Sequence, residues 1–394
     1  MTALPIYLDY NASTPPDDKV VEAVVACMRD TYANATSSHP PGKNALRCIE
    51  GARDTVGWLL GCPASWVTFT SGATEANNLA IRGLWEGTRA DNQLRDTIVI
   101  GATEHAAVLE VASALETQGA RVLRAPVDRY GVIIGDVLRE LVDDRTLLVS
   151  VMAANNETGT IAPLAEVVAT AKAAGAYVHS DATQYVGRLP FDTSTLGLDL
   201  VTISGHKLHG PKGVGALAVA RGVPLAPQTH GGSHERGRRA GTLNTPGIAG
   251  LGVAAEVATA RFLDADMIRS LRDRLHAGLS DRLAGVSLNG HPFARLPNTL
   301  NIRFAGADAE AVIASLDRVA CSAGSACHAG SLAPSHVLLE MGLGRIEAHE
   351  SIRLSLGRTT TVLEVDTAIE DLVRAVNRVR EMEGSPASPD RISA

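Results

Sequence analysis

The segments His179-Ser180-Asp181-Ala182-Thr183-Gln184 and Ser204-Gly205-His206-Lys207 each follow a short apolar run, at 176–179 and at 200–204. Both read as polar residues at the carboxyl ends of buried strands, the edge at which open α/β sheets bind their ligands. Asp181 and Lys207, 26 positions apart (207 minus 181), reach that edge together. A pyridoxal phosphate site needs such a pair. The amine condenses with the aldehyde, and the carboxylate keeps the pyridine nitrogen protonated so that the ring draws electrons from the substrate carbon. An Asp followed by a Lys also arises by chance, so the surrounding sequence has to decide.

Working outward, short apolar strand candidates alternate with helix-like stretches from about 66 to 220. The strands fall at 66–70, 97–101, 121–125, 146–152, 176–179, 200–204 and 215–219. A helix begins at Pro163 and stops before Gly175, a good start and stop. Such alternation predicts an α/β fold, a mainly parallel seven-stranded sheet covered on both faces. From about Ala254 the pattern changes to a long helix, then separate short strands at 286–289, 299–304 and 351–355 among further helices. That predicts a smaller α+β domain. The boundaries expected are 15–258 for the large domain, 1–14 with 259–383 for the small one, and a polar, Pro/Ser-rich tail over 384–394.

At 394 residues the chain can bury a large core. With 45% hydrophobic and 20% charged residues it has an ordinary globular composition. A net charge of −7 and a pI near 6.0 argue against direct nucleic-acid binding. No apolar stretch approaches the ~18 residues that span a bilayer, and no secretory leader pattern is present, so a cytoplasmic protein is expected. The five cysteines, Cys27, Cys48, Cys62, Cys321 and Cys327, form no framework and read as reduced thiols. No closely spaced Cys/His set suggests a metal.

The ordered motifs are Tyr7-Leu8-Asp9, Thr70-Ser71-Gly72-Ala73-Thr74-Glu75, Thr103-Glu104-His105, Asn155-Asn156-Glu157-Thr158-Gly159, the two opening segments, Ser325-Ala326-Cys327 and Ser355-Leu356-Gly357-Arg358. Through them the chain resembles, over nearly its whole length, the cysteine desulfurase family. That is class V of the fold-type I pyridoxal phosphate enzymes, with selenocysteine lyase a close relative. The resemblance implies the fold-type I architecture, a homodimer, pyridoxal 5'-phosphate as cofactor and L-cysteine as substrate.

On the residues themselves, Ser71-Gly72-Ala73-Thr74-Glu75 is either a phosphate cradle at a helix start or a plain N-cap. The resemblance implies that Ala73 and Thr74 hold the phosphate, helped by Ser204 and His206. His105 is by itself an ordinary helix-start or core histidine; the resemblance makes it the ring that stacks on the cofactor and moves protons at the substrate sulfur. Asn156 and Gln184, turn residues if isolated, are implied to bond the cofactor's 3-oxygen. The loop from Gly231 to Thr242 reads as a solvated basic surface loop. The resemblance has it cross a dimer interface, with Thr242 reaching the partner's phosphate. Four positions depart from the family pattern, Ser233, Arg238, His209 and Ala35, and a different local geometry is expected there.

Cys327 lies in a stretch of small residues, Ser322 to Ser331, that predicts a mobile, exposed loop. A cysteine there can meet a substrate and swing away, and His328 beside it favours the thiolate. The alternative is an inert small residue. Cys321, inside the apolar run 318–321, reads as structural. Arg353, in an alternating strand pattern, could clamp a substrate carboxylate or pair with a neighbouring acid. The resemblance assigns it to the substrate, together with Asn34 and Asn156.

The activity implied is conversion of L-cysteine to L-alanine. Lys207 releases the cofactor and removes the α-proton, Asp181 holds the ring nitrogen, and His105 handles the proton on sulfur. The Cys327 thiolate takes the sulfur as a persulfide for an acceptor in iron–sulfur cluster assembly or tRNA thiolation. Selenocysteine lyase is the nearest rival, on the strength of Ala326-Cys327-His328 and Arg295-Leu296-Pro297-Asn298-Thr299. A class V aminotransferase would have no need of Cys327. A non-catalytic sulfur-relay scaffold is a third reading, opposed by the intact Lys207, Asp181 and His105. The end of the chain, soon after the last helix, raises the further question of whether it docks an iron–sulfur scaffold.

Overall fold

The structure, a computed structural model, describes residues 5–89, 95–262, 264–323 and 333–384. The chain enters through a two-residue strand, β1 (Ile6–Tyr7), and then builds a seven-stranded sheet from β2 (Val67–Thr70), β3 (Thr97–Gly101), β4 (Arg121–Ala125), β5 (Thr146–Ser150), β6 (Tyr177–Asp181), β7 (Leu200–Ser204) and β8 (Gly215–Val219). Their order is β2-β8-β7-β6-β5-β3-β4. Neighbours are parallel except at β8, which is antiparallel to both β7 and β2. Two reversals leave β2 running with β7, so the carboxyl ends of β2, β3, β5, β6 and β7 share one edge.

Every residue of β3, β5, β7 and β8 is buried. A strand covered on both faces has no polar side to show, which is why these runs read as continuous apolar stretches rather than alternating ones. One face is covered by the helices Ala73–Thr88 and Ala106–Glu116, whose Leu79, Ile81, Leu84, Val111 and Leu115 pack with Ile98, Leu148 and Leu217. The helix Leu164–Ala173 packs with the other face, where Val167, Val168 and Ala171 join Val99, Val149 and Val178.

Four boundaries differ from the sequence reading. β5 ends at Ser150, two residues before the expected 152. β2 begins at Val67, because Ala64–Trp66 form a 3₁₀ turn. β6 runs on through Asp181, which pairs with Thr202 of β7, so Asp181 is the last rung of the ladder rather than the first residue beyond it. The long helix expected from about 254 is two helices, Thr245–Ala260 and Asp264–Arg282.

The remaining strands are β9 (Val286–Asn289), β10 (Thr299–Phe304), β11 (Val319–Ala320) and β12 (Ser351–Ser355). β10 lies between β12 and β9, antiparallel to both, and β11 pairs in parallel with β1. A separate core gathers Leu8 with Leu275, Phe304, Ile352, Leu372 and Val376. The start of the chain therefore packs on this second body before crossing to the large sheet. The helix Val362–Met382 closes it, with Thr361 and Glu364 forming a capping box. The tail beyond 384 lies outside the described residues.

Candidate active site

A cavity of about 530 Å³ opens where the carboxyl ends of β2, β3, β5, β6 and β7 converge, within the roughly 300–1,000 Å³ usual for small-molecule sites. Ala73, Thr74, His105, Asn156, Asp181, Gln184, Ser204, His206, Lys207 and Arg353 all line it. Strand and turn placement alone bring these residues together from positions 73 to 353.

One end suits an anion. Gly72 has φ 152° and ψ −178°, a conformation open essentially to glycine, and it turns β2 directly into the helix Ala73–Thr88. A Cβ on Gly215 of the neighbouring β8 would come within 2.7 Å of the Gly72 Cα, so two bare backbones must pass there. The residues that open that helix, Ala73, Thr74 and Glu75, line the cavity together with Ser204, and a helix start offers free N–H groups to an anion. Burial, and then the positive Lys207 and Lys212, push the His206 imidazole down to about 4. It is neutral at this end near pH 7.

Further along, Asp181 is only 7% exposed. Its Oδ2 accepts from Asn77 Nδ2 (2.8 Å) and its Oδ1 from the Thr183 backbone N–H (3.0 Å). Each oxygen keeps a lone pair, so the carboxylate is oriented yet still able to accept. Beneath it, on the same face of β6, the buried His179 is set between Ser150 Oγ (2.8 Å) and Thr202 Oγ1 (3.1 Å). Burial drives its pKa down to about 4 against the opposing pull of Asp181, so the ring is a neutral spacer. Glu104 is fully buried and takes a bond from the Met152 N–H (2.6 Å); burial and the nearby Asp181 raise its pKa well above the usual carboxylate range.

Lys207 Nζ donates to the carbonyls of Asn11 (2.5 Å) and Ala12 (2.6 Å). His105 caps the helix Ala106–Glu116, its Nδ1 accepting from the Ala107 N–H (3.1 Å). A neutral ring so held carries its proton on Nε2. Arg353, 2% exposed, pairs through Nη2 with Asp9 Oδ1 (2.7 Å) and donates Nη1 to the Asn156 carbonyl (3.2 Å). Its Nε is buried without a partner. Both alternatives open for Arg353 are thus present on one side chain, an acid partner and a spare donor.

Two candidates do not line this cavity. Asn34 is exposed, its Oδ1 accepting from Thr36 N (3.0 Å) and Oγ1 (2.9 Å). Thr242 is also exposed. Cys327 lies outside the described residues. Among the described thiols, burial first of all raises Cys27 to about 11, Cys62 to about 12 and Cys321 to about 12. Thiols so protonated are poor nucleophiles. At the variant positions, His209 adopts φ 59° while its N–H donates to Thr14 Oγ1 (2.8 Å), and Arg238 Nη1 reaches Thr68 Oγ1 (3.4 Å). Ala35 is buried and Ser233 exposed.

Asn11 was not legible as a site residue, yet it is a hub. It is 1% exposed, and its atoms meet Asn156, Gln184 and Lys207 of the large sheet's edge and Asn298, Thr299 and Ser355 of the second body. Its one sequence signal is its place two residues after Tyr7-Leu8-Asp9. Asn77 sits on a buried helix face, where an asparagine is out of place unless it has a partner; that was a usable signal. His336, whose Nε2 lies 3.0 Å from the Glu104 carbonyl, also lines the cavity, and nothing in the pattern marked it.

The donor set fits pyridoxal phosphate. Thr183 Oγ1 and Gln184 Oε1 are buried on the cavity wall without partners in the chain, and such atoms find a ligand or water. With the helix N-terminus, an oriented carboxylate and a lysine, the wall offers a partner to each polar part of that molecule.

A model of the aminotransferase class-V family matches residues 6–367. The chain is 46% identical over 400 residues to a cysteine desulfurase of Frankia sp. (strain EuIK1), covering 98% of this chain and 95% of that one. To the cysteine desulfurase IscS of Anaeromyxobacter sp. (strain Fw109-5) it is 44% identical over 383 residues, 96% and 94% of the two lengths. A solved NifS-like protein superposes with a TM-score of 0.88 at 37% identity, covering 94% of this chain and 99% of that one. The chain belongs to the aminotransferase class-V family, in its pyridoxal phosphate-dependent cysteine desulfurase branch.

Proposed function

We propose that the protein is a cysteine desulfurase that converts L-cysteine to L-alanine and lodges the sulfur on Cys327 as a persulfide. One observation carries the reading: adjacent strands β6 and β7 deliver Asp181 and Lys207 to a single cavity that Arg353 also lines. Pyridoxal phosphate bound there supplies an aldehyde that carries amines and a protonated ring that withdraws electrons from the substrate α-carbon.

The chain's own residues do the rest. Ala73, Thr74, Ser204 and His206 hold the phosphate, and Asn156 and Gln184 bond the 3-oxygen. Asp181, oriented by Asn77 and Thr183, keeps a proton at the ring nitrogen. Lys207 removes the substrate α-proton, and the Asn11 and Ala12 carbonyls within 2.6 Å suit the ammonium that results. His105 covers the ring and moves the proton at the substrate sulfur. Arg353 offers its spare Nε to the substrate carboxylate. The Cys327 thiolate attacks that sulfur as the Cβ–S bond breaks, forming S–S and releasing alanine. The raised pKa values of Cys27, Cys62 and Cys321 leave the role to Cys327 over those three.

In a homodimer with shared sites, Thr242, exposed in one chain, would reach the phosphate bound by the partner. The reading places the protein in the cytoplasm, with an acceptor in iron–sulfur cluster assembly or tRNA thiolation; no described helix is long and apolar enough to cross a membrane. Relatives named as cysteine desulfurases favour cysteine over selenocysteine. The test is incubation with L-cysteine and a reductant. Equimolar alanine and sulfide are expected; release of pyruvate, or amino transfer without alanine, would overturn the reading.

A further inference from the structure

The loop that carries Thr242 is rich in glycine, yet a buried carboxylate holds it. Glu235 accepts from Arg53 Nη1 (2.8 Å), from Arg53 Nη2 (2.8 Å) and from the Phe69 backbone N–H (2.8 Å). The two side chains are 4% and 1% exposed. Arg53 comes from the helix Pro40–Leu59, donates also to the Val67 carbonyl (2.8 Å), and lies 4.8 Å from the centroid of the Phe69 ring. One carboxylate thus ties together a helix, β2 and the loop.

The loop needs such a tie. Glu235 and Arg236 both have left-handed backbones, φ 48° and 57°, which side-chain-bearing residues adopt only when their surroundings compel it. A second tether lies four residues after Glu235: Arg239 Nε donates to Glu75 Oε1 (2.9 Å), and Glu75 Oε2 accepts from the Ser71 N–H (2.8 Å). Ser71 and Glu75 belong to this chain's own anion end. The loop is therefore fastened to the two elements that build that end, β2 and the helix Ala73–Thr88, and Thr242 emerges just beyond the second fastening.

We propose that Arg53 and Glu235 are a positioning pair, holding the loop so that Thr242 is presented in one pose to the phosphate of a second copy's cofactor. This rests on the shared-site reading above. Neither residue lines the cavity, so any effect on the cofactor passes through the elements they fasten. A buried ion pair is weak evidence of stabilisation, since replacing both partners with apolar side chains is often neutral, whereas removing one strands a charge. That asymmetry allows direction to be separated from stability.

The experiment titrates pyridoxal phosphate into cofactor-free protein by absorbance, with melting of the same samples alongside. The variants are Thr242→Ala, the apolar double Arg53→Met with Glu235→Leu, and the combination of all three changes. The expected result is a cofactor-free double variant that melts close to the parent but binds pyridoxal phosphate roughly tenfold more weakly. Thr242→Ala should weaken binding by a similar factor, and the combination should be no worse than either, because both act through one contact. Losses that multiply in the combination would overturn the proposal, as would a parental affinity in the double variant beside a weakened Thr242→Ala. A Thr242→Ala that binds like the parent would sink the shared-site reading itself and this proposal with it. Should the double variant fail to fold, Arg53→Lys, which keeps the charge and gives up the two-pronged grip, enters the same comparison.

Discussion

Replacing Arg353 by lysine should separate its two duties. In β12 the guanidinium is held by Asp9 (2.7 Å) and the Asn156 carbonyl (3.2 Å), and Nε, with the second hydrogens of Nη1 and Nη2, remains for a substrate carboxylate. Arg353→Ala would be uninformative, because stripping one partner from a buried pair costs about 3–5 kcal/mol and Asp9 is only 16% exposed. Lysine keeps a charge for Asp9 but is a single point, unable to hold Asp9, Asn156 and a substrate together. The contact forfeited is one charge-assisted hydrogen bond, about 1.5–3 kcal/mol. At about 1.4 kcal/mol per decade this is a roughly 10- to 100-fold rise in KM for L-cysteine. Binding lost equally in ground and transition states raises KM and leaves kcat largely alone, so steady-state alanine release is the assay, with cofactor absorbance confirming full loading. A KM within twofold of the parent, in protein carrying its full complement of cofactor, would refute the substrate role and leave Arg353 as a strut between Asp9 and Asn156.

Lys207→Ala should lose both turnover and the absorbance of lysine-bound cofactor; Lys212 also lines the cavity, and retained absorbance would transfer the role there. Cys327→Ser should stay yellow and bind L-cysteine with a spectral change, yet form alanine at about a hundredth of the parental rate or less, since a hydroxyl is a poor sulfur acceptor. Cys321→Ser, whose thiol burial holds near 12, should keep near-parental activity, and reversed phenotypes would move the persulfide to Cys321. His179 predicts an acid weakness: its folded pKa of about 4 lies below the ordinary 6.5, so the unfolded chain takes up a proton that the folded one refuses. The stability contributed by the neutral ring is complete above pH 6.5 and is lost as pH falls towards 4, by about 2 kcal/mol at pH 5. Urea unfolding of the parent and of His179→Gln at pH 7.5 and 5 should show a shallower pH dependence in the variant; parallel losses would place the acid sensitivity elsewhere.

Much of the fold could be read in the order of residues. The runs 97–101, 200–204 and 215–219 are strands over those same residues, because a strand buried on both faces must be apolar throughout and so announces itself. The Asp181–Lys207 pair was legible for a related reason: polar residues at the carboxyl end of such a run, Asp181 on the last rung of β6 and Lys207 in the turn after β7, reach the edge where the ligand binds. Gly72 was legible as part of a helix start. Its conformation is closed to other residues, so a local rule sufficed.

What only the tertiary structure decided are the contacts made between segments distant along the chain. Nothing near Asn11 in sequence says that it will meet Lys207, Gln184 and Ser355 at once; that follows from β1 pairing with β11 before the chain crosses to the large sheet. Arg353 had two competing readings, and the fold supplied Asp9, 344 positions away, while leaving Nε over. The basic loop looked like solvated surface because its Arg and Gly residues say so by composition. Its anchor is one glutamate 182 positions from its arginine, and hydrogen bonds at that range leave no period in the sequence. Local propensity and burial pattern are written residue by residue, whereas the partners of buried polar groups are fixed by which surfaces the packed core brings together.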